Sequence, residues 1–194
     1  MIYLGNGMYS DAGSTLQHYG VLGMKWGVRK ARQELNAHTR FVTNQMRRDN
    51  RSAYRSGDIS KDQYKRNKVA IGRLKRRTKT ADKAWAKNMS AAYKYDKAGF
   101  KKQYGSKVKD IRNYVDREID KTTPGFSKYN KHSRNIGKAQ ALFGWPGSAI
   151  YYAKNAKDFN NSANEAMRNA SKYASTLDGD VRLEGVYDKK RRNS

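Results

Sequence analysis

The sequence predicts an all-α protein: an elongated helical bundle built on a long basic helical hairpin, with a glycine-rich N-terminal motif and a short irregular C-terminal tail. Three observations predict it. Apolar residues recur at alternating spacings of three and four over many successive turns, which is the period of a helix face. A complete helix-start signature sits between the first two of these runs. Both prolines, Pro124 and Pro146, fall between runs rather than inside them, as residues that lack an amide proton should.

The first predicted helix spans 28–55. Val28, Ala31, Leu35, Val42, Met46 and Ala53 return to one side of it, while Arg32, Arg40, Arg47, Arg48, Arg51 and Arg55 lie mostly off that stripe. Gly57 ends it, because a glycine accepts the left-handed conformation that closes a helix. Ser60 then caps a second helix and Gln63 reaches back as the third residue of a capping box, with Ile59 and Tyr64 at the staple positions around it. This helix runs over about 60–97 on the seam Ile71, Leu74, Thr78, Ala81, Trp85, Met89 and Ala92, a coiled-coil-like pattern that packs antiparallel on the first helix. Its outer face carries Lys65, Arg66, Lys68, Arg73, Lys75, Arg76, Arg77 and Lys79 with no acid among them. These eight are the candidate nucleic-acid-binding residues.

Gly99, Gly105 and Ser106 punctuate the chain before a helix over 107–121 with Val108, Ile111, Val115 and Ile119 inward. Asp116 and Asp120 share a face of it, where Arg112, Arg117 and Lys121 are expected to neutralise them. Thr122 to Gly125 is a turn. A helix over 128–142 carries Tyr129, Ile136, Ala139 and Leu142 inward, and the break Gly144-Trp145-Pro146-Gly147 follows, its Trp145 expected to pack on the bundle. The last helix, 147–177, has a narrow seam at Ala149, Tyr152, Ala156, Phe159, Ala163, Ala166, Ala170, Tyr173 and Leu177. Core packing is its expected use, with self-association into a homo-oligomer as the alternative. Val181, Leu183, Val186 and Tyr187 form a short strand or a docked arm before the basic tail Lys189 to Arg192.

One stretch fits none of these elements. From His18 to Lys30 the chain reads HYGVLGMKWGVRK, with Gly20, Gly23 and Gly27 interrupting a string of aromatic and aliphatic residues. Glycine is unfavourable inside helix or strand unless the backbone needs it, so a compact plug or peptide ligand is expected, with a buried loop that caps the fold as the alternative. The stretch resembles a motif, H-x-G-[VI]-x-G-M-K-W-G-V-R-[RK], of tailed-bacteriophage and prophage proteins, matched here by His18, Gly20, Val21, Gly23, Met24, Lys25, Trp26, Gly27, Val28, Arg29 and Lys30. The resemblance implies a phage setting among structural genes, and no reaction. Because the motif recurs on dissimilar bodies, it implies a docking element for the virion, with His18, Gly20, Gly23, Met24, Lys25, Trp26, Gly27 and Arg29 as its residues.

Charge divides the chain. There are 42 Lys and Arg against 17 Asp and Glu, a net +25, in a chain of 194 residues with mean hydropathy -1.07. The segment 1–28, which holds the motif, is neutral; the basic helical region 29–138 holds 32 basic and 10 acidic residues, a net +22; the Ala-rich helix and tail, 139–194, hold 9 and 6. So large an excess calls for a polyanionic partner. Cysteine is absent, which removes disulfides and thiolate chemistry. The N-terminus has no signal-peptide pattern, and no apolar run is long enough to span a membrane.

His18, His38 and His132 lack zinc-site spacing, and Asp178, Asp180 and Glu184 match no calcium loop. No phosphate cradle or nucleophile, base and orienting group can be assembled. No cofactor or metal is expected, and the chain reads as non-enzymatic. Exposed Lys and Arg on helices bind phosphates electrostatically and without base readout.

The expected function is a bacteriophage virion protein whose basic helical surface contacts packaged DNA or an acidic surface of the head, portal or internal core. Its expected partners are phage DNA, bound non-specifically, and other virion proteins. Its expected place is the head interior or neck of the particle, and the host cytoplasm during assembly. The alternative is a non-structural phage protein that binds nucleic acid or a host factor in the infected cell.

Overall fold

The chain forms an all-α helical bundle. The structure, a computed structural model, describes residues 22–105 and 107–188, with backbone alone at 22–26 and 108. Five helices follow in order among the described residues: α1 (Leu22–Arg55), α2 (Lys61–Tyr95), α3 (Lys97–Tyr104), α4 (Val108–Thr122) and α5 (Phe126–Ser175), then a 3-10 turn at Gly179–Val181.

α1 and α2 are the antiparallel hairpin that the periodicity predicts. Every seam residue of both is buried, from Val28 to Ala53 on α1 and from Ile71 to Ala92 on α2. Near the turn Val42 and Met46 share a cluster with Ile71 and Leu74; at the far end Val28 and Leu35 share one with Trp85, Met89 and Ala92. Burying an aliphatic side chain of this size stabilises by about 1.5–3 kcal/mol, so the seam outweighs the weak local propensity of a lysine-rich helix. The connecting turn passes through Gly57 at φ 76°. Both bonds of the predicted capping box are made: the Ser60 hydroxyl accepts from Gln63 N at 3.2 Å, and Ser60 N donates to the Gln63 side chain at 2.8 Å. Ser60→Ala is expected to cost about 1 kcal/mol, measurable as a lower urea midpoint.

Two elements differ from expectation. α1 begins six residues early, at Leu22, and so takes Gly23 and Gly27 of the motif into the helix. Helical glycine costs only about 1 kcal/mol each, and Val28, Ala31 and Leu35 immediately downstream are packed into the core. His18, Gly20 and Val21 lie outside the described residues. α3 is an element the sequence reading omitted: Asp96 caps it by accepting from Gly99 N at 2.7 Å, and a Cβ on Gly99 would meet Asp96 Oδ2 at 2.4 Å. That glycine therefore serves a cap rather than a break. The expected strand or arm at 181–187 is an arm, with Val181, Leu183 and Tyr187 buried against α1 and α2.

α5 is two helical arms joined at Gly144, whose φ of 67° and ψ of -161° lie outside the helix region. Residues equidistant from this point meet. Lys128 pairs with Asp158 at 2.9 Å, Tyr129 packs against Phe159 in a tilted ring contact with centroids 5.4 Å apart, and Asn135 donates to the Tyr151 hydroxyl at 2.9 Å. The arms are thus an antiparallel hairpin with residue 143 at its tip. Its base is packed in the core through Phe126, Ala166, Ala170 and Ala174, but nothing between His132 and Ser162 is fully buried. Trp145 and Leu142, expected inward, are 77% and 74% exposed. The predicted seam of the second arm holds only from Ala166 onward; Tyr152 is 42% exposed.

Candidate nucleic-acid interface

α2 turns Lys65, Arg66, Lys68, Arg73, Lys75, Arg76, Arg77 and Lys79 to solvent, as a helix whose opposite stripe is committed to the core must. Their surroundings separate them into two sets. Arg66 makes a bidentate pair with Glu184, the shorter contact 2.8 Å, and Arg77 a bidentate pair with Asp180 at 2.7 and 2.9 Å. Both acids come from the C-terminal arm. The Glu184 carboxyl is held below its usual range by the Arg66 guanidinium hydrogen bond. These two arginines are therefore occupied. Lys65 lies 3.8 Å from Asp62, and Arg76 donates to the Gly72 carbonyl. Arg73, Lys75 and Lys79 pair with no acid among the described residues.

The arm is fixed by more than charge. Asn67, buried in α2, donates to the Glu184 carbonyl at 3.1 Å and accepts from Glu184 N at 2.8 Å, reading the arm's backbone as a strand would; it also donates to Asn50 of α1 at 2.9 Å. Asp49 accepts from Tyr187 at 2.9 Å, Ser171 at 2.7 Å and Gln45 at 2.9 Å. Burial, then the Asp49 carboxylate, pushes the Tyr187 hydroxyl upward in pKa, so it remains a donor. Gly185, at φ 74°, sits where a Cβ would meet Ile59 at 2.7 Å.

Next to this strapped face is a groove of about 460 Å³ between α1 and α2, lined by Asn44, Arg47, Arg48, Arg51, Tyr64 and Lys68 as well as Asn50. Arg47 is held by Asn44 Oδ1 at 2.8 Å, and Lys68 lies 5.7 Å above the Tyr64 ring, which itself stacks on Tyr54 at 4.9 Å. No carboxylate lines it. Four cations and one tyrosine line a single open trough, a surface that a phosphate backbone fits. Of its cations the sequence reading selected only Lys68. The signal for the others was present: Arg47, Arg48 and Arg51 lie off the apolar stripe of α1, one helix away.

Arg29 and Lys30 are exposed and Gly27 is buried on α1; for Met24, Lys25 and Trp26 only the helical backbone is described. On α4 the expected neutralisation is not the one formed. Arg112 pairs with Glu34 of α1 at 2.9 Å, Lys121 with Glu118 at 2.7 Å, and Asp120 accepts from Ser127 N at 3.0 Å. Asp116 has a buried oxygen without a partner, and burial, with Glu34 nearby, raises its carboxyl to about 6. The helix register could not anticipate this, because Glu34 approaches from another helix.

Residues 10–33 match a family of unknown function, DUF7211. No curated protein and no solved structure matches the chain. The family match covers the motif and the first turns of α1, while the groove lies wholly outside it.

Proposed function

We propose that this chain is a non-enzymatic virion component of a tailed bacteriophage that holds DNA without regard to sequence. The observation that carries the DNA part is the acid-free groove lined by Arg47, Arg48, Arg51 and Lys68, continued on α2 by the unpaired Arg73, Lys75 and Lys79. Phosphates laid along these cations release condensed counterions, which supplies affinity that is indifferent to base sequence. The phage setting is supported by the resemblance of residues 18–30 to the tailed-phage motif. An acidic wall of the head or portal would engage the same cations, but a trough that gathers four of them suits a narrow phosphate backbone better than a flat acidic surface.

Substituting Arg47, Arg51 and Lys68 together with Gln is expected to weaken binding to a random-sequence duplex by roughly tenfold or more and to make its salt dependence shallower by about 2–3 in the log–log slope. Fluorescence anisotropy across a salt series measures both. Binding that ignores salt from the outset would refute the electrostatic basis. Mass spectrometry of purified particles tests the setting: a chain missing from particles belongs instead to the infected cell.

A further inference from the structure

We infer that the tip of the α5 hairpin, residues 142–150, is a wedge that inserts into the headgroup layer of an anionic lipid bilayer. Leu142, Phe143, Trp145 and Ile150 are 74%, 72%, 77% and 58% exposed and lie within six residues of the break at Gly144. Scattered exposed apolar residues need no explanation, but a contiguous set at a protruding tip marks an interaction site. The tip is convex, so it enters its partner rather than receiving it.

The turn is built to hold that shape. Gly144 occupies a φ of 67° that other residues resist, and a Cβ on Gly147 would meet the Ala139 carbonyl at 2.8 Å and Phe143 Cβ at 2.5 Å. Pro146 follows the break, and Ser148 donates to the Trp145 carbonyl at 2.8 Å. Behind the tip, Tyr151 is clamped by Asn135 and His132 across the two arms. The aromatic side chains are thus presented by a rigid support without first having to be ordered.

Charge selects the bilayer. Of the seven Lys and Arg from Lys121 to Lys157, Lys121, Lys128 and Arg134 are paired with acids that lie outside this stretch, which leaves Lys131, Lys138, Lys154 and Lys157 in no ion pair with an acid among the described residues. Lys138 and Lys154, both exposed, stand roughly 7 and 13 Å behind Phe143 and Trp145 at 1.5 Å per helical residue. An apolar cap of this height matches the roughly 5–10 Å to which interfacial elements sink. Its lysines then lie among anionic headgroups, where each adds attraction, and Trp145 and Tyr152 are the residue types that favour the interface. This is insertion without spanning: among the described residues no helix is long and apolar enough to cross a membrane.

The test is flotation of the full chain with vesicles of phosphatidylcholine and phosphatidylglycerol, against phosphatidylcholine alone, at low and high salt. The Phe143→Ser/Trp145→Ser variant removes only exposed side chains, so its melting temperature should equal that of the unsubstituted chain. The unsubstituted chain is expected to retain binding to the anionic vesicles at high salt, with brominated lipid quenching its tryptophan emission, and the variant to lose roughly tenfold or more of that salt-resistant binding. Lys138→Glu/Lys154→Glu should weaken binding to anionic vesicles alone. Equal binding by both chains overturns the inference. So does a tip covered by a second copy, seen as a doubled mass that the serine variant abolishes, or a variant that loses DNA binding and keeps its vesicles.

Discussion

Glu34→Ala should be strongly destabilising for a polar change, costing about 3 kcal/mol in urea unfolding. Glu34 is 3% exposed, yet it holds Arg112 at 2.9 Å, accepts from Asn130 at 2.5 Å and contacts Arg134. It ties α1 to α4 and to the first arm of α5 at one point. Removing it strands two guanidinium groups whose surroundings have already excluded much of their water. Their side chains are 29% exposed, so solvent relieves part of the penalty and the figure belongs at the low end for a broken buried pair. Asp116 nearby takes up some of the released charge: with Glu34 gone, the chief repulsion on its carboxyl is removed and the two arginines remain. Its pKa, now about 6, should fall, and carbon-detected NMR titration would read that directly. Glu34→Gln should cost less, since the amide oxygen still accepts.

The second large effect concerns pH. Asp82 on α2 is fully buried with neither carboxyl oxygen hydrogen-bonded, and burial, opposed by Arg32, raises it to about 7. It lines a cavity of about 20 Å³ together with His38, which donates to or accepts from Thr123 at 2.9 Å and is pushed down by burial to about 4. A carboxyl raised from 3.8 to about 7 holds its proton more tightly when folded. Its contribution is full below pH 4 and is lost as pH rises through 7, by at most about 4 kcal/mol. The histidine acts with the opposite sign: the unfolded ring takes up a proton near 6.5 and the folded one does not, so its contribution is full above 6.5 and is lost as pH falls toward 4.

Between pH 4 and 6.5 the slopes of Asp82 and His38 therefore oppose each other, while Asp116, raised to about 6, adds to the fall. Relative to the unsubstituted chain, Asp82→Asn should tilt the profile upward with pH over that window and raise the melting temperature at pH 8. His38→Gln should tilt it downward over the same window. Calorimetry at four or five pH values separates them; parallel profiles would mean that the two groups do not titrate as their burial requires.

The contrast between these groups and the helical seams shows what a single chain of letters can disclose. Ile71 through Ala92 were legible because a helix face is a local property, fixed by spacing alone. The capping box was legible for the same reason. The groove was not, since Arg47 and Arg51 meet Lys68 only after two helices pair, and Glu34 reaches Arg134 across a hundred residues. Leu142 and Trp145 misled in a different way: an apolar residue beside glycine and proline has the same letters whether the turn faces the core or leaves it. The motif's glycines misled because their local cost is small against the burial that follows them.

That last feature has a mechanical meaning. Residues 22–33 of the family match lie on α1, and α1 is a continuous rod of 34 residues, about 50 Å at 1.5 Å per residue. A flexible tether would let the body of the protein swivel about whatever grips its motif. A rod does not. A partner that clasps these residues also fixes the azimuth of everything borne farther along the same shaft, and Arg47, Arg48 and Arg51 are four to eight turns beyond the grip. For such a partner, turning the grip would aim the cationic trough.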